Sequence, residues 1–181
     1  MRKLPVLRGE RVILRALRRS DIADRQAVGR HNEFSHMCGG DTIAPVSYPP
    51  RSFWVKWYRG FRREQHGFVI EAEGRCAGTA RLNHISAADR SATYAIGIFD
   101  PAFYSQGMGT EVTRLMLRYG FETLGLHRID LKVLEYNHRG IRCYEKCGFR
   151  REGVLRDSAW IDGAWHADVL MSILEDEYAA D

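Results

Sequence analysis

Residues 100–111, which read DPAFYSQGMGTE, decide the fold because they join a strand pattern to a helix pattern through two closely spaced glycines. An apolar, strand-like segment (92–99) precedes them, and a strongly helical pattern (111–124) follows. Gly107 and Gly109 let the backbone turn tightly and expose its N–H groups, and the helix start adds unpaired N–H groups and a positive dipole end. This arrangement predicts a phosphate or pyrophosphate site; a turn that only permits close packing is the alternative.

A second informative stretch, residues 126–149, reads LHRIDLKVLEYNHRGIRCYEKCGF. Apolar residues alternate over 128–134, which predicts a strand. Asn137 is suited to cap a short helix, and Gly148 is suited to end it in the left-handed conformation. With the strand before the glycine turn, the helix and this strand would form a right-handed βαβ crossover.

Together the two stretches resemble the Gcn5-related N-acetyltransferase (GNAT) superfamily, and most of all its branch of ribosomal-protein N-terminal and spermidine acetyltransferases. The resemblance extends over about residues 8–178 and is most specific over 96–149 and in the C-terminal REGVLRDSAWIDGAWHADVLMSIL. It implies an α+β (mixed αβ) fold with a central, mostly antiparallel twisted sheet flanked by helices. One parallel pair of strands should splay apart, and acetyl-CoA should lie in the resulting wedge.

The remaining elements are predicted from hydrophobic pattern and turn residues. They are a strand at 11–17, a helix from Ser20 and Asp21 to about His31, a loop at 36–50, a helix at 51–64, a hairpin of 67–73 with 76–85, and strands at 149–160 and 165–174 joined at Asp162-Gly163. The order βααβββαβαββ is that of the acetyltransferase fold.

Length, composition and charge indicate a single domain that covers residues 1–181. No uncharged apolar stretch approaches membrane-spanning length, and the basic N-terminus lacks the apolar region of a signal peptide, so we expect a cytoplasmic protein without membrane contact. The net charge of +4 includes arginine clusters such as 59–63, which more commonly form a solvated helix face than a nucleic-acid site. Cys143 and Cys147 are one helical turn apart, but no matching second ligand pair occurs, so reduced thiols are predicted rather than a metal site.

The resemblance assigns the cofactor-binding residues. The family motif Gln/Arg-x-x-Gly-x-Gly/Ala falls on Tyr104, Gly107 and Gly109, and Tyr104 departs from it. Where the strands part, the backbone of Ile98 and Phe99 should lose its ladder partners and bind the pantetheine arm and the thioester oxygen. The pyrophosphate is expected on main-chain N–H groups of the loop, formed by Ser105, Gln106, Gly107, Met108, Gly109 and Thr110, with the Thr110 hydroxyl adding a contact.

Tyr144 is the candidate general acid. It follows Asn137 by seven residues, so helical spacing places the two nearly on one face. A phenol with a pKa of about 10 is protonated at neutral pH and can donate to a departing thiolate. In the family the matching Tyr has this role at the cofactor, and the matching Asn contacts the pantetheine or the substrate. From the residues alone, a core tyrosine and a simple helix cap are the alternatives.

The sequence identifies no general base. Spermidine-type relatives carry a Glu that falls near Thr93 or Ala95, and neither residue is acidic. Glu33, His84 and Glu71 are candidates, and a water chain without a dedicated base is the alternative. Without a base the acceptor should have a low pKa, which favours an α-amine.

These expectations describe an acetyl-CoA-dependent N-acetyltransferase that acts on a primary amine by direct attack. Its partners would be acetyl-CoA and an amine acceptor, either a protein N-terminus or a small molecule. The acceptor site is expected between the first two helices and the last turn, where few carboxylates and the aromatic residues Phe34, Trp54, Trp57 and Trp160 argue against a highly charged polyamine. Aromatic residues that simply form core are the alternative. A catalytically weak acyl-CoA-binding regulatory module is the alternative function. A homodimer is common in the family, although no residue pattern marks an interface.

Overall fold

A computed structural model describes residues 4–40 and 46–178. Within these residues the elements, in chain order, are β1 (Leu7–Arg8), β2 (Ile13–Arg15), α1 (Asp21–Val28), β3 (Arg30–His31), α2 (Asn32–Met37), β4 (Val46–Ser47), α3 (Arg51–Phe61), β5 (Gly67–Ala72), β6 (Arg75–Ser86), β7 (Ser91–Ile98), α4 (Met108–Arg118), β8 (Arg128–Leu134), α5 (His138–Lys146), β9 (Arg150–Ile161) and β10 (Ala164–Leu174). A short 3-10 turn (Pro101–Phe103) precedes α4, and a π-helical segment (Tyr119–Thr123) follows it.

Eight of the strands form one sheet in the order β1-β2-β5-β6-β7-β8-β10-β9, and β3 pairs with β4 separately. Neighbouring strands of the large sheet are antiparallel except β7 and β8, which are parallel. That pair is joined only where residues 91–93 meet residues 128–130. Beyond Thr93 no ladder pairing joins the two strands in the described chain, so they splay apart, which confirms the predicted mixed sheet and its open parallel pair.

Helix α4 begins at Met108 rather than at Glu111 as predicted. Gly107 adopts a left-handed φ of 81° directly before it, and the Glu111 N–H already donates to the Gly107 carbonyl at 3.1 Å. Only a glycine adopts this conformation without strain. Because of the glycine turn, α4 begins closer to the splayed strands than the hydrophobic pattern predicted.

Helix α1 is shorter than predicted and ends at Val28 instead of near His31. Gly29 has a positive φ of 72°, and the Arg25 guanidinium donates to the Gly29 carbonyl, which closes the helix end. The short helix α2 overlaps the predicted loop at 36–50 only at its last two residues, and strand β4 also lies within that loop. Residues 41–45 of that loop lie outside the described residues.

The hairpin turns and the Asn137 cap are confirmed, whereas Ser20 precedes α1 without a side-chain capping hydrogen bond. Both hairpin turns, 73–74 and 162–163, consist of two residues with positive φ, which is the geometry of a type I′ turn. Asn137 caps α5, because its side-chain oxygen accepts from the Gly140 N–H at 2.9 Å, and Gly148 follows the helix with a φ of 93°. These features fix α5 beside the open end of β8.

Helices cover both faces of the sheet and create two cores. The larger core packs α4 and α5 against one face, with fully buried Met116, Ile129 and Met171. The smaller core, against α1–α3, includes Phe61 and Phe99. The gap between β7 and β8 is therefore flanked by helices on each side of the sheet.

Among the described helices, none is both long and apolar enough to cross a membrane.

Candidate active site

The gap between β7 and β8 opens into a cleft of about 1350 Å³. One part lies between α4 and α5, and the other is bounded by α1, α2 and α3. The structure brings most of the predicted site residues together here. Those that line the cleft are Ile98, Phe99, Tyr104, Ser105, Gly107, Met108, Gly109, Thr110, Asn137 and Tyr144.

The loop before α4 presents backbone donors to the cleft. Ser105 and Gly107 have positive φ angles of 59° and 81°. Because the first helical hydrogen bond is made by Glu111, the N–H groups at positions 108–110 have no carbonyl within the helix. Together with the helix dipole they form an arrangement suited to an anion.

Gln106 has a different place from its neighbours in this loop. Its side-chain amide donates to the Ala102 carbonyl at 2.5 Å, and its own carbonyl accepts from the Arg11 guanidinium. Its side chain thus braces the loop from outside the cleft lining. A role for Gln106 in holding the cofactor stays a prediction for its backbone N–H alone.

The splayed end of β7 corrects one detail of the prediction. The Phe99 N–H is not left without a partner, because it donates to the Ala77 carbonyl at 2.8 Å and continues the ladder with β6. Antiparallel alternation then directs the backbone groups of Ile98 away from β6 and toward the gap. The Ile98 carbonyl accepts from the Tyr104 hydroxyl at 3.1 Å. Tyr104, the residue that departs from the family motif, therefore holds the strand end whose Ile98 N–H faces the cleft.

Gly109 allows α4 and α5 to approach closely. A Cβ atom at this position would lie 3.3 Å from Cys143 Sγ and 3.8 Å from Ile98 Cδ1. The distance to Cys143 is tight and the one to Ile98 is an ordinary van der Waals contact, so the absence of a side chain serves packing against Cys143 as well as access to the backbone N–H groups. The two interpretations of the glycine turn are compatible.

Tyr144 on α5 combines burial with an unused hydroxyl. The residue is 9% exposed and lines the cleft. Among residues 4–40 and 46–178, no group hydrogen-bonds its hydroxyl. Burial raises the pKa of Tyr144 well above that of an ordinary phenol, so the group carries its proton at neutral pH. It can donate that proton to an anion that forms in the cleft.

The three predicted base candidates all lie outside the cleft lining. Glu71 accepts hydrogen bonds from Arg15 and Arg18, and His84 is exposed on β6. Glu33 forms an ion pair with Arg139 at 2.8 Å. Glu33 therefore lies next to the cleft, bound to an arginine that lines it.

Two carboxylates that sequence reasoning missed do line the cleft, Glu64 and Asp168. Glu64 follows α3, and Asp168 lies on β10, where it accepts from Ser158 at 3.0 Å. At the positions matching the family Glu, Thr93 donates to Asp130 at 2.9 Å and Ala95 lines the cleft. No sequence motif singled out either carboxylate, because each belongs to a segment distant from the glycine turn.

The α1–α3 side of the cleft is aromatic, as predicted, but differs in two residues. Phe34, Trp54 and Trp57 line it. Trp160 does not, since it is 57% exposed on the outer hairpin and packs against Trp165 at 5.1 Å between ring centroids. Arg25 of α1, which sequence reasoning overlooked, is only 4% exposed and also lines the cleft.

Cationic side chains outnumber carboxylates around the described cleft, seven to two. The cations are Arg25, Arg30, Arg81, Lys132, Arg139, Arg142 and Lys146. Such a lining favours phosphate-bearing or carboxylate-bearing ligands over polycations.

Cys143 adds an acidic thiol to the α4–α5 side. Its sulfur lies 3.5 Å from the Thr110 hydroxyl. A hydrogen bond from Cys147, together with those from Thr110 and Thr113, lowers the pKa of the Cys143 thiol to about 6. The predicted thiol pair therefore borders the cleft, which its spacing alone did not indicate.

Comparisons with known proteins agree with this geometry. The family model described as "Acetyltransferase (GNAT) domain" matches residues 11–150. The chain is 32% identical over 119 residues to Spermidine N(1)-acetyltransferase of Escherichia coli (strain K12), a match that covers 66% of this chain and only 63% of that protein's length. It is 25% identical over 158 residues to the putative ribosomal N-acetyltransferase YdaF of Bacillus subtilis (strain 168), covering 87% of this chain and 83% of that one.

A solved structure extends the similarity to the whole fold. The spermidine N-acetyltransferase from Vibrio cholerae, crystallised in complex with CoA and spermine, superposes with a TM-score of 0.76 at 26% identity and covers 94% of this chain and 98% of that chain. The family model, the relatives and the splayed sheet agree, and the chain belongs to the GNAT acetyltransferase family.

Proposed function

We propose that this protein is an N-acetyltransferase that uses acetyl-CoA to acetylate a primary amine by direct attack. The observation that carries this proposal is the open β7–β8 gap, which joins an anion-binding helix start on one side to an aromatic pocket on the other. Tyr144 lies on the helix that borders this gap. Relatives named as N-acetyltransferases support the proposal.

In this proposal the chain's own groups divide the work. The N–H groups at 105–110 would hold the pyrophosphate, and cleft-lining cations such as Arg142 and Lys146 would add charge. The Ile98 N–H would polarise the thioester carbonyl, a contribution of roughly 2.7–4 kcal/mol for one such donor in a well-studied case. Asn137 would position α5 and contact the pantetheine arm. Acetyl-CoA itself supplies the activated acyl group.

Tyr144 would protonate the departing thiolate, since its hydroxyl is protonated and unused within the described chain. The amine would lose its proton to solvent, because no carboxylate stands at the positions of Thr93 and Ala95, and the two carboxylates of the described cleft, Glu64 and Asp168, each accept from a neighbouring side chain. The acceptor would be a protein N-terminus or a small-molecule amine. A cytoplasmic location and a homodimer stay predictions.

A thiol-release assay with acetyl-CoA and a panel of amines tests the proposal. We expect acetyl-CoA to raise the melting temperature by mass action and at least one primary amine to release free CoA thiol. Cofactor binding without turnover of any amine would instead support the regulatory acyl-CoA-binding module.

The cofactor site has its own matched test. Gly109→Val would place branched carbon against Cys143 and should abolish the thermal shift with acetyl-CoA. Gly153→Val introduces the same side chain at an open position on β9, where no atom lies within 4 Å of the added Cβ, and should leave the shift intact. A folded Gly109→Val protein with normal cofactor affinity would contradict this placement of the cofactor.

A further inference from the structure

The acceptor side of the cleft contains a buried cation without a counter-charge. Arg25 is 4% exposed, and the only hydrogen bond of its guanidinium within the described chain is to the Gly29 carbonyl. Its Nε is fully buried and lacks a partner among residues 4–40 and 46–178. No carboxylate of those residues lies within ion-pair distance of it.

Burying the Arg25 guanidinium without a counter-charge costs free energy unless an acceptor group binds to it. An unpaired buried charge loses its hydration without compensation, and burial lowers the pKa of Arg25 to about 10. The rings of Phe99 and Trp54, at 4.0 and 4.4 Å from the guanidinium carbon, provide cation–π contacts but no acceptor oxygen. The Trp54 indole N–H is also buried without a partner in the described part of the chain. Both residues line the cleft, and each has a buried N–H donor without an acceptor in the described chain.

Arg25 lies one aromatic layer away from the expected reaction centre. The edge of the Phe34 ring approaches to 3.0 Å of the position that a Gly97 Cβ would occupy, next to Ile98 on β7. The same ring meets Phe99 edge-on, with centroids 5.3 Å apart, and lies 5.8 Å from the Arg25 guanidinium carbon. A ligand anchored at Arg25 could therefore extend along Phe34 toward the β7–β8 gap.

The other charged residues on this side of the cleft also favour an anionic ligand group. Arg30 and Arg81 also line this side, and Glu64 is its carboxylate in the described chain. In the orientation that satisfies its neighbours, the Asn83 amide donates to Glu64 at 2.9 Å and accepts from Arg81 at 2.7 Å. Glu64 is thus engaged locally, and the wall around Arg25 stays cationic. A polyamine would meet like charges there.

We propose that the acceptor is a small molecule or short peptide that carries both a primary amine and a carboxylate, and that Arg25 binds this carboxylate. The guanidinium offers N–H donors to the carboxylate oxygens, and the Trp54 indole lies beside it as a further donor. The pairing would point the amine toward the Ile98 end of β7. This inference rests on the proposed acetyltransferase function.

A series of acceptor peptides of increasing length, each in two matched forms, tests the inference. Peptides of two to four residues with the same N-terminal residue are supplied as free acids and as C-terminal amides, beside spermidine. Each acid–amide pair has nearly the same α-amine, so a difference reports the carboxylate. At the length that fits, kcat/KM for the acid should exceed that for the amide by about 10- to 100-fold, as expected for one charge-assisted interaction.

Variants then assign the preference to one residue. Arg25→Met should lower kcat/KM for the acid to the level of the amide, mainly through the KM of the acceptor, so that the acid-to-amide ratio falls to about one. Arg25→Lys should keep part of the preference. Arg59→Met, an exposed arginine of α3 outside the cleft lining, is the control and should keep all of it. The thermal shift with acetyl-CoA reports whether each variant is folded.

The outcomes separate this inference from the proposed function. Equal use of acids and amides, an acid preference that survives Arg25→Met, or spermidine as the best acceptor would overturn the inference and leave the transferase intact. If no amine is acetylated, N-acetylated peptide acids and amides are titrated into the CoA-saturated protein by calorimetry. An acid preference that Arg25→Met removes would support the carboxylate site without the transferase, and equal binding would overturn it.

Discussion

Two arginines of the N-terminal region are equally buried, at 4% exposure, and have opposite surroundings. Arg15 of β2 binds Asp21 at 2.8 Å and also contacts Glu71. Burial disfavours its charge, but hydrogen bonds to both carboxylates outweigh that effect and raise its pKa. Arg25 of α1 has no such partner in the described chain, and burial lowers its pKa to about 10. The buried charge with internal partners maintains the fold, whereas the one without them lies at the cleft wall, where we propose that a ligand binds.

The same contrast separates two buried tyrosines. The Tyr94 hydroxyl hydrogen-bonds Thr113 at 3.1 Å inside the larger core. Both rings line the cleft and meet edge-on with centroids 6.3 Å apart, but the Tyr144 hydroxyl has no hydrogen-bond partner in the described residues. Both tyrosines are nearly inaccessible to solvent. The hydroxyl with an internal hydrogen bond, that of Tyr94, belongs to the structural residue, and the hydroxyl without one, that of Tyr144, belongs to the candidate catalytic residue.

The largest expected effect comes from removing each tyrosine hydroxyl. Tyr144→Phe should lower kcat by about 10²–10⁴-fold with little change in acetyl-CoA binding, because a general acid is lost. Tyr94→Phe should instead reduce the free energy of unfolding by about 1 kcal/mol, because a buried hydrogen bond is lost, and keep kcat within a few-fold. Pre-steady-state turnover and urea unfolding measure the two quantities. Near-normal chemistry in Tyr144→Phe would mean that water protonates the thiolate.

The arginine pair predicts the next largest effect. Arg15→Met leaves the Asp21 carboxylate, which is 0% exposed, without its cation and should cost about 3–5 kcal/mol of unfolding free energy. Arg25→Met removes an unpaired charge and loses one hydrogen bond to Gly29, so the change should stay within about 1 kcal/mol. Urea unfolding of both variants decides the comparison. An Arg25→Met loss as large as that of Arg15→Met would make Arg25 a structural residue.

The cofactor side of the molecule could be predicted from the sequence because its determinants are local. Gly107 and Gly109 set the backbone of one turn, and Asn137 and Tyr144 share one short helix, so spacing alone places them. The α4 start was predicted too late, since the hydrophobic pattern begins only after the glycine turn has already formed the first helical bonds.

On the acceptor side only the aromatic lining by Phe34, Trp54 and Trp57 could be predicted, because tertiary packing decides the rest. Arg25 occupies a polar helix segment, DIADRQAV, where a charged residue usually faces solvent. Its burial depends on Phe99 and Trp54, which come from distant segments. Glu64 likewise reaches the cleft only through the position of α3. Whether such a group finds a partner is a property of the folded chain.

A smaller effect concerns deprotonation of the amine. Glu64 has an internal partner in Asn83, so the comparison predicts that it is structural and that no enzyme base titrates. The log of kcat/KM should rise with pH up to the pKa of the acceptor amine, about 7.7–8.0 for an α-amine and 10.4 for a lysine-like amine. Glu64→Gln should change kcat/KM only a few-fold. Profiles for two acceptors of different pKa measure this, and a shared acidic inflection that Glu64→Gln erases would identify a base.

The smallest effect is a difference in thiol reactivity between Cys76 and Cys143. Cys76 is 0% exposed, and burial raises the pKa of its thiol to about 12, so alkylation should require unfolding. Cys143 borders the cleft, and the hydrogen bond from Cys147 holds its pKa below the ordinary value of about 8.5. Because the thiolate is the nucleophile, its alkylation rate should rise about tenfold between pH 5 and pH 7 and then level off.

Mass spectrometry of alkylated peptides follows each thiol separately, and Cys143→Ser should remove the early phase. Acetyl-CoA should slow that phase, since Cys143 Sγ lies 3.3 Å from the position of a Gly109 Cβ and beside the Thr110 hydroxyl, where the pyrophosphate is proposed to bind. Protection of Cys143 together with an unchanged Cys76 would extend the contrast of the arginines and tyrosines to a third pair. An inflection near pH 8.5, or no protection by the cofactor, would place Cys143 among the structural groups and separate the α5 surface from the cofactor site.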